Sequence, residues 1–244
     1  MKKALLVVSF GTSYPEADRD CIQSVESALA AAFPDHECRR AFTSRIIARK
    51  LRSQGIAIES EAEAIQHLRA NGFEDIRIVP THIIHGGEYE KVVAAADGLP
   101  VSEPLLENEA DLDWLAALLG KLAEEERRAL LVMGHGTEHA ADETYVRLRA
   151  KLPEGVYLAC VEGSHSLDHI LPQLDAMPEK ALTLMPLMLV AGDHAHNDLA
   201  GDEEDSWKSI LTARGFDIRV RMQGLGALEA IQQRFVEKAR KQFN

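Results

Sequence analysis

The chain has 244 residues, is 46% hydrophobic and carries a formal net charge of −12. This length suits one large or two modest cores, and the acidity argues against a broad basic footprint for DNA or RNA. Cys21, Cys38 and Cys160 have no CxxC spacing, which speaks against a zinc knuckle or a disulfide framework and makes a reducing compartment the default.

The first element is an apolar run, Ala4–Phe10, ending at Gly11-Thr12. After Met1-Lys2-Lys3 it mimics a signal peptide, but the run is short and lacks a small-x-small cleavage site. It is read as a buried strand of a cytoplasmic protein. Tyr14–Phe33 has Ile22, Val25, Leu29 and Phe33 at helical spacing before Pro34. A strand is expected at Glu37–Phe42, a basic helix at Ser44–Gln54, and a helix at Ser60–Asn71 stopped by Gly72. Ile76–Ile84 reads as the third strand, Glu88–Ala96 as a helix, Pro100–Leu106 as a fourth strand and Asp111–Glu126 as a helix.

The order then repeats. Strands are expected at Ala129–Met133, Val156–Val161, Ala181–Val190 and Asp217–Met222. Helices are expected near Ala140–Leu152, Ser166–Met177, Trp207–Arg214 and Leu228–Phe243. Alternating strands and helices predict an α/β protein with a parallel sheet in each half. No apolar stretch is long enough to span a membrane.

The halves also match in detail. Ala4–Thr12 (ALLVVSFGT) returns as Ala129–Thr137 (ALLVMGHGT), identical at six of nine positions, with His135 where the first copy has Phe10. Ile78–Glu88 aligns with Leu184–His194, Pro and Gly in register, which sets Glu88 against His194. A weaker match, Arg40–Ser44 with Cys160–Ser164, sets Phe42 against Glu162. The expected division is therefore 1–127 and 128–244, with the terminal helix packing on the first domain. His135, Glu162 and His194 then follow three strands of the second half. Ligands bind beyond the carboxyl ends of strands in open parallel sheets, and two imidazoles with a carboxylate suit a divalent transition metal.

Each motif has a plainer reading. A histidine between Gly134 and Gly136 can be a structural turn residue. Gly192–Asp198 (GDHAHND) matches part of the HxHxD motif of metallo-β-lactamase-like hydrolases, but Leu199 stands where that motif needs histidine. Asp202–Asp205 reads as a solvated acidic loop. Glu88 and Glu90 after Gly86-Gly87 suit a helix N-terminus as well as catalysis. His165 and His169 have the i, i+4 spacing of a helical pair, most of which are simply solvated. Roles for His82, His85 and His196 stay open. Neither GxxxxGK[ST], GxGxxG nor GxSxG is present, which disfavours nucleotide-driven chemistry, dinucleotide binding and a nucleophile elbow.

Taken together, SFGT, RAFTS, HIIHGGEYEK, MGHGT, VEGS and PLMLVAGDHAHND followed by DSWK resemble the anaerobic sirohydrochlorin cobalt chelatases, ATP-independent enzymes related to ferrochelatase. The resemblance spans nearly the whole chain. It implies two flavodoxin-like domains enclosing a cleft for the tetrapyrrole, and a lyase that inserts Co²⁺ into sirohydrochlorin in cobalamin biosynthesis, with Fe²⁺ or Ni²⁺ as further metal substrates. It implies His135 as metal ligand and proton acceptor, His194 and Glu162 as the other ligands, and Glu88 as a catalytic carboxylate. The family pattern has asparagine at the His85 position, so no role for His85 follows. No organic cofactor is expected. Sirohydrochlorin carries many carboxylates, and Arg45, Arg49 and Lys50 are the local cluster that suits them. A metal-dependent hydrolase and a non-catalytic tetrapyrrole or metal carrier are the alternatives. Physiological metal and homo-oligomerisation are left open.

Overall fold

The computed structural model describes residues 1–243. The chain divides into two compact units: Met1–Glu107 together with the chain from Gly226 onward, and Asn108–Leu225.

The first unit begins with β1 (Lys2–Ser9), the short helix α1 (Pro15–Ala17), a π-helical turn at Asp18–Ile22, and α2 (Gln23–Ala32). The helix expected over Tyr14–Phe33 is thus broken into three pieces. It stops at Phe33 because the residue before a proline is pushed out of helical geometry, and Phe33 has φ −126° and ψ 62°. Next come β2 (Glu37–Phe42), α3 (Arg45–Ser53), α4 (Glu61–Ala70), β3 (Phe73–Pro80) and α5 (Gly87–Ala96). The sheet is parallel, in the order β2-β1-β3. The central strand is buried from Ala4 onward, and Ala4, Leu6 and Val8 pack with Ile65, Leu68 and Val92 of the flanking helices. Leu5 and Val7, which point to the opposite face, are also fully buried, and cover on both faces explains why β1 reads as a continuous apolar run.

The second unit opens with α6 (Glu109–Glu126), which buries Leu112, Leu115, Leu119 and Leu122 at i, i+3, i+7, i+10. Asn108 and Asp111 close a reciprocal capping box at its start, a device worth about 1 kcal/mol. There follow β4 (Ala129–Gly134), α7 (Glu143–Arg149), β5 (Val156–Cys160), α8 (Leu167–Asp175), β6 (Ala181–Pro186), α9 (Trp207–Ala213) and β7 (Asp217–Val220). The sheet is again parallel, in the order β5-β4-β6-β7. The last helix, α10 (Glu229–Phe243), packs against α2 and belongs to the first unit.

Four further expectations change. The division falls after Glu107 rather than near residue 127, because α6 packs on β4, β5 and α7. Pro100–Leu106 makes no strand. It contributes only isolated parallel bridges, Val101 with Ile78 and Leu106 with Ile84, at the place where the second unit has β7. β3 and β6 end at Pro80 and Pro186, short of Ile84 and Val190. The middle alignment is off by two: Phe42 pairs with Ser9 as Cys160 pairs with Gly134, so Ser44, not Phe42, is the counterpart of Glu162. Backbone bonds agree, since Ser44 N–H donates to the Phe10 carbonyl and Glu162 N–H donates to that of His135.

Candidate metal centre

His135 is the first residue after β4, Glu162 lies two beyond β5, and His194 lies eight beyond β6. All three therefore sit past the carboxyl ends of adjacent strands in the second unit. Gly136 is what lets two of these loops meet. Its φ is +76°, and a Cβ there would come within 1.9 Å of the Glu162 carbonyl oxygen. Only glycine permits both that backbone conformation and that approach.

The rings of His135 and His194 meet edge to face, with centroids 4.8 Å apart. His135 Nδ1–H donates to the Gly136 carbonyl at 2.8 Å, and His194 Nδ1–H donates to Asp198 Oδ2 at 2.8 Å. In the neutral form each ring then keeps its free lone pair on Nε2, the atom available to ligate a metal or accept a proton. Asp198 is one turn beyond His194, in a π-helical turn that spans Ala195–Leu199. Such a carboxylate fixes ring orientation and raises the basicity of the ligating nitrogen.

Glu162 Oε2 is 3.9 Å from His135 Nδ1, and both side chains are about half exposed. Among the described residues, no group of three His, Cys, Asp or Glu side chains is already arranged to hold an ion. The two imidazoles are adjacent, while the Glu162 carboxylate lies toward the Nδ1 side of His135.

Asp142 is a part the sequence did not disclose. Its Oδ1 accepts from Thr137 N–H at 3.2 Å, and its Oδ2 accepts from Ser164 N–H at 3.1 Å and Ser164 Oγ–H at 2.7 Å. It thus ties the loop after His135 to the loop after Glu162. Partial burial opposes its charge, but the Ser164 and Thr137 bonds prevail and hold its carboxyl below the usual value.

The other expected residues lie in the first unit. Glu88 is in the first turn of α5, and its Oε1 pairs with Lys91. Burial works against its charge, yet Lys91, Thr43 and His82 together hold its carboxyl below the usual range. Arg45, Arg49 and Lys50 are exposed on α3, with Lys50 Nζ 5.7 Å from the Tyr14 ring centre. His85 bonds Glu107 at 3.1 Å and lies against Tyr89. His165 and His169 are 6.4 Å apart by ring centres, each with Nδ1 on a serine hydroxyl, Ser164 and Ser166. His196 is exposed, as are Asp202–Asp205.

Comparison with known proteins extends this picture. The family model for cobalt chelatase (CbiK) matches residues 3–244. The sirohydrochlorin cobaltochelatase of Salmonella typhimurium is 39% identical over 257 residues, covering 100% of this chain and 97% of that protein. The sirohydrochlorin cobaltochelatase CbiKC of Nitratidesulfovibrio vulgaris is 33% identical over 232 residues, covering 88% of this chain and 81% of that protein. Among solved structures, SirB from Bacillus subtilis with Fe3+ aligns with a TM-score of 0.66 at 13% identity, over 99% of this chain and 96% of that one, a likeness of fold.

Proposed function

The chain belongs to the cobalt chelatase (CbiK) family, and from that membership we propose that it inserts Co²⁺ into sirohydrochlorin without nucleotide hydrolysis, as a step toward cobalamin. The observation that carries the reading is the pair of neighbouring imidazoles, His135 and His194, each with Nδ1–H engaged and Nε2 left over.

The reaction exchanges two pyrrole N–H protons for one M²⁺, so the protein must release a metal and accept protons. A neutral imidazole suits both tasks, because it ligates borderline metals and has an ordinary pKa near 6.5. In the proposed sequence His135 Nε2 and His194 Nε2 hold the incoming ion, Glu162 turns to offset its charge, and His135 takes a pyrrole proton once the ion has moved to the ring. Few ligands and open positions favour a metal that must leave, unlike a closed structural zinc site. Glu88 assists proton removal, and Arg45, Arg49 and Lys50 receive substrate carboxylates. The same donors accept Fe²⁺ and Ni²⁺. A cytoplasmic location is part of the proposal; among the described residues no helix is long and apolar enough to cross a membrane.

The test is visible absorbance of metal-free sirohydrochlorin with Co²⁺ and substoichiometric enzyme. Many turnovers per chain support the reading. A stoichiometric spectral change without turnover would indicate a carrier, and no change would leave the hydrolase.

A further inference from the structure

Among the buried polar atoms of the first unit without a hydrogen-bond partner, four belong to residues grouped around Glu88: Thr43 Oγ1, both ring nitrogens of His82, and Glu88 Oε2. They come from three successive segments past the strand ends. Thr43 follows β2, His82 follows β3, and Glu88 opens α5. Glu88 lies within electrostatic reach of both His82 and Lys91, and Thr43 favours its charged form. The carboxylate therefore has two different sides. Oε1 pairs with Lys91, whose side chain is 54% exposed, while Oε2 is shut away from water.

Buried polar groups without partners are rare and costly. Here the groups are chemically complementary. Neutral imidazole and threonine hydroxyl supply donors, and a carboxylate oxygen supplies only acceptor sites. The corner is anchored by the adjacent Thr81, whose Oγ1–H donates to Ser9 Oγ at 2.8 Å, and by Leu105 N–H, which donates to the His82 carbonyl at 2.9 Å. The matching position in the second unit is Met188, whose carbonyl likewise accepts from Leu225. The backbone frame is thus shared, and only the first unit places an imidazole on it.

We propose that His82 is a positioning residue for Glu88: its neutral ring, with the Thr43 hydroxyl, turns donors toward the inner carboxylate oxygen, directly or through one water, and keeps Glu88 ionised and oriented to accept a proton. This rests on the reading of Glu88 as a participant in metal insertion. Burial drives the His82 imidazole down to about 4, with Lys91 adding to that and Glu88 opposing it. The ring is accordingly neutral at pH 7 and acts as a dipole rather than as a cation. A neutral donor favours the carboxylate form without placing a second charge in the corner.

The experiment follows the Glu88 carboxyl by ¹³C NMR across pH in the full chain, assigned by its loss in Glu88→Gln, beside the pH profile of cobalt insertion. In His82→Phe the Glu88 midpoint should rise by about half a unit or more, and the acidic limb of kcat should move up with it while KM changes little. His82→Gln, which keeps an amide donor, should recover part of the shift. An unmoved Glu88 midpoint in His82→Phe overturns the proposal. Should His82→Phe fail to fold, ¹⁵N NMR of the unaltered protein decides. A ring that stays neutral from pH 5 to 8 and responds to the Glu88 titration supports the proposal, and one that titrates near 6.5 or ignores Glu88 overturns it. Unchanged turnover in Glu88→Gln would remove Glu88 from the reaction, whereas the NMR coupling reads the His82 contact by itself.

Discussion

Asp198 Oδ2 lies 2.8 Å from His194 Nδ1, four residues on, and so fixes which nitrogen of His194 is free. The bond makes Asp198 a lever on metal affinity that does not itself touch the metal in the proposed site. Asp198→Ala should weaken Co²⁺ binding by about 10–100-fold. Titration of the cobalt d–d absorption in the metal-free protein checks this, and unchanged affinity would mean that His194 is oriented by something else.

Gly136→Ala should be far more damaging than an ordinary loop substitution. The added methyl would strain a φ of +76° and overlap the Glu162 carbonyl, which lies 1.9 Å from the ideal Cβ position. The Glu162 N–H bond to the His135 carbonyl should be lost with it. Thermal unfolding and cobalt affinity should both fall. A variant of native stability that binds cobalt normally would show that the two loops need not approach so closely.

Asp142→Asn tests the tie between the His135 and Glu162 loops, with a definite pH signature. A carboxyl held below its unfolded value adds stability above about pH 4, and that contribution fades as pH falls through the depressed folded value. The melting-temperature gap between Asp142→Asn and the unaltered protein should therefore be open at pH 7 and close progressively below about pH 4. A gap that widens in acid would contradict the assignment. Because the group is partly exposed, the gap should be modest.

Arg127 ends α6 in the left-handed region at φ 54°, where a side chain is strained. Arg127→Gly should stabilise the second unit by up to about 1 kcal/mol, read as a raised melting temperature with unaltered cobalt binding. A lower melting temperature would mean that the arginine side chain contributes more than its backbone costs.

Much of this was legible in the sequence because a buried parallel strand writes itself as an uninterrupted apolar run, and the chain contains that run twice. The recurrence of ALLV before Gly-Thr located β1 and β4, whereas the strands expected over Ile76–Ile84 and Ala181–Val190 ran past Pro80 and Pro186, where β3 and β6 stop, because the apolar residues beyond each proline look like more strand. The edge strand β2 was harder to align. Its exposed residues carry little pattern, and a two-residue slip preserves which face each side chain occupies. The strand expected at Pro100–Leu106 failed because apolar residues there are buried by packing while making only isolated bridges. Asp142 was invisible because its partners are an N–H five residues before it and a serine twenty-two residues after it. Nor could spacing decide between a working and a structural His82, since the difference lies in the absence of hydrogen bonds to its ring.

The central claim is that His135 both holds the metal and accepts a pyrrole proton. Its most direct test is steady-state cobalt insertion by His135→Ala beside a sirohydrochlorin binding titration. The account predicts a loss of at least about 10²–10⁴ in kcat from the missing base alone, more with the missing ligand, and little change in sirohydrochlorin affinity. Near-normal turnover in His135→Ala would contradict it.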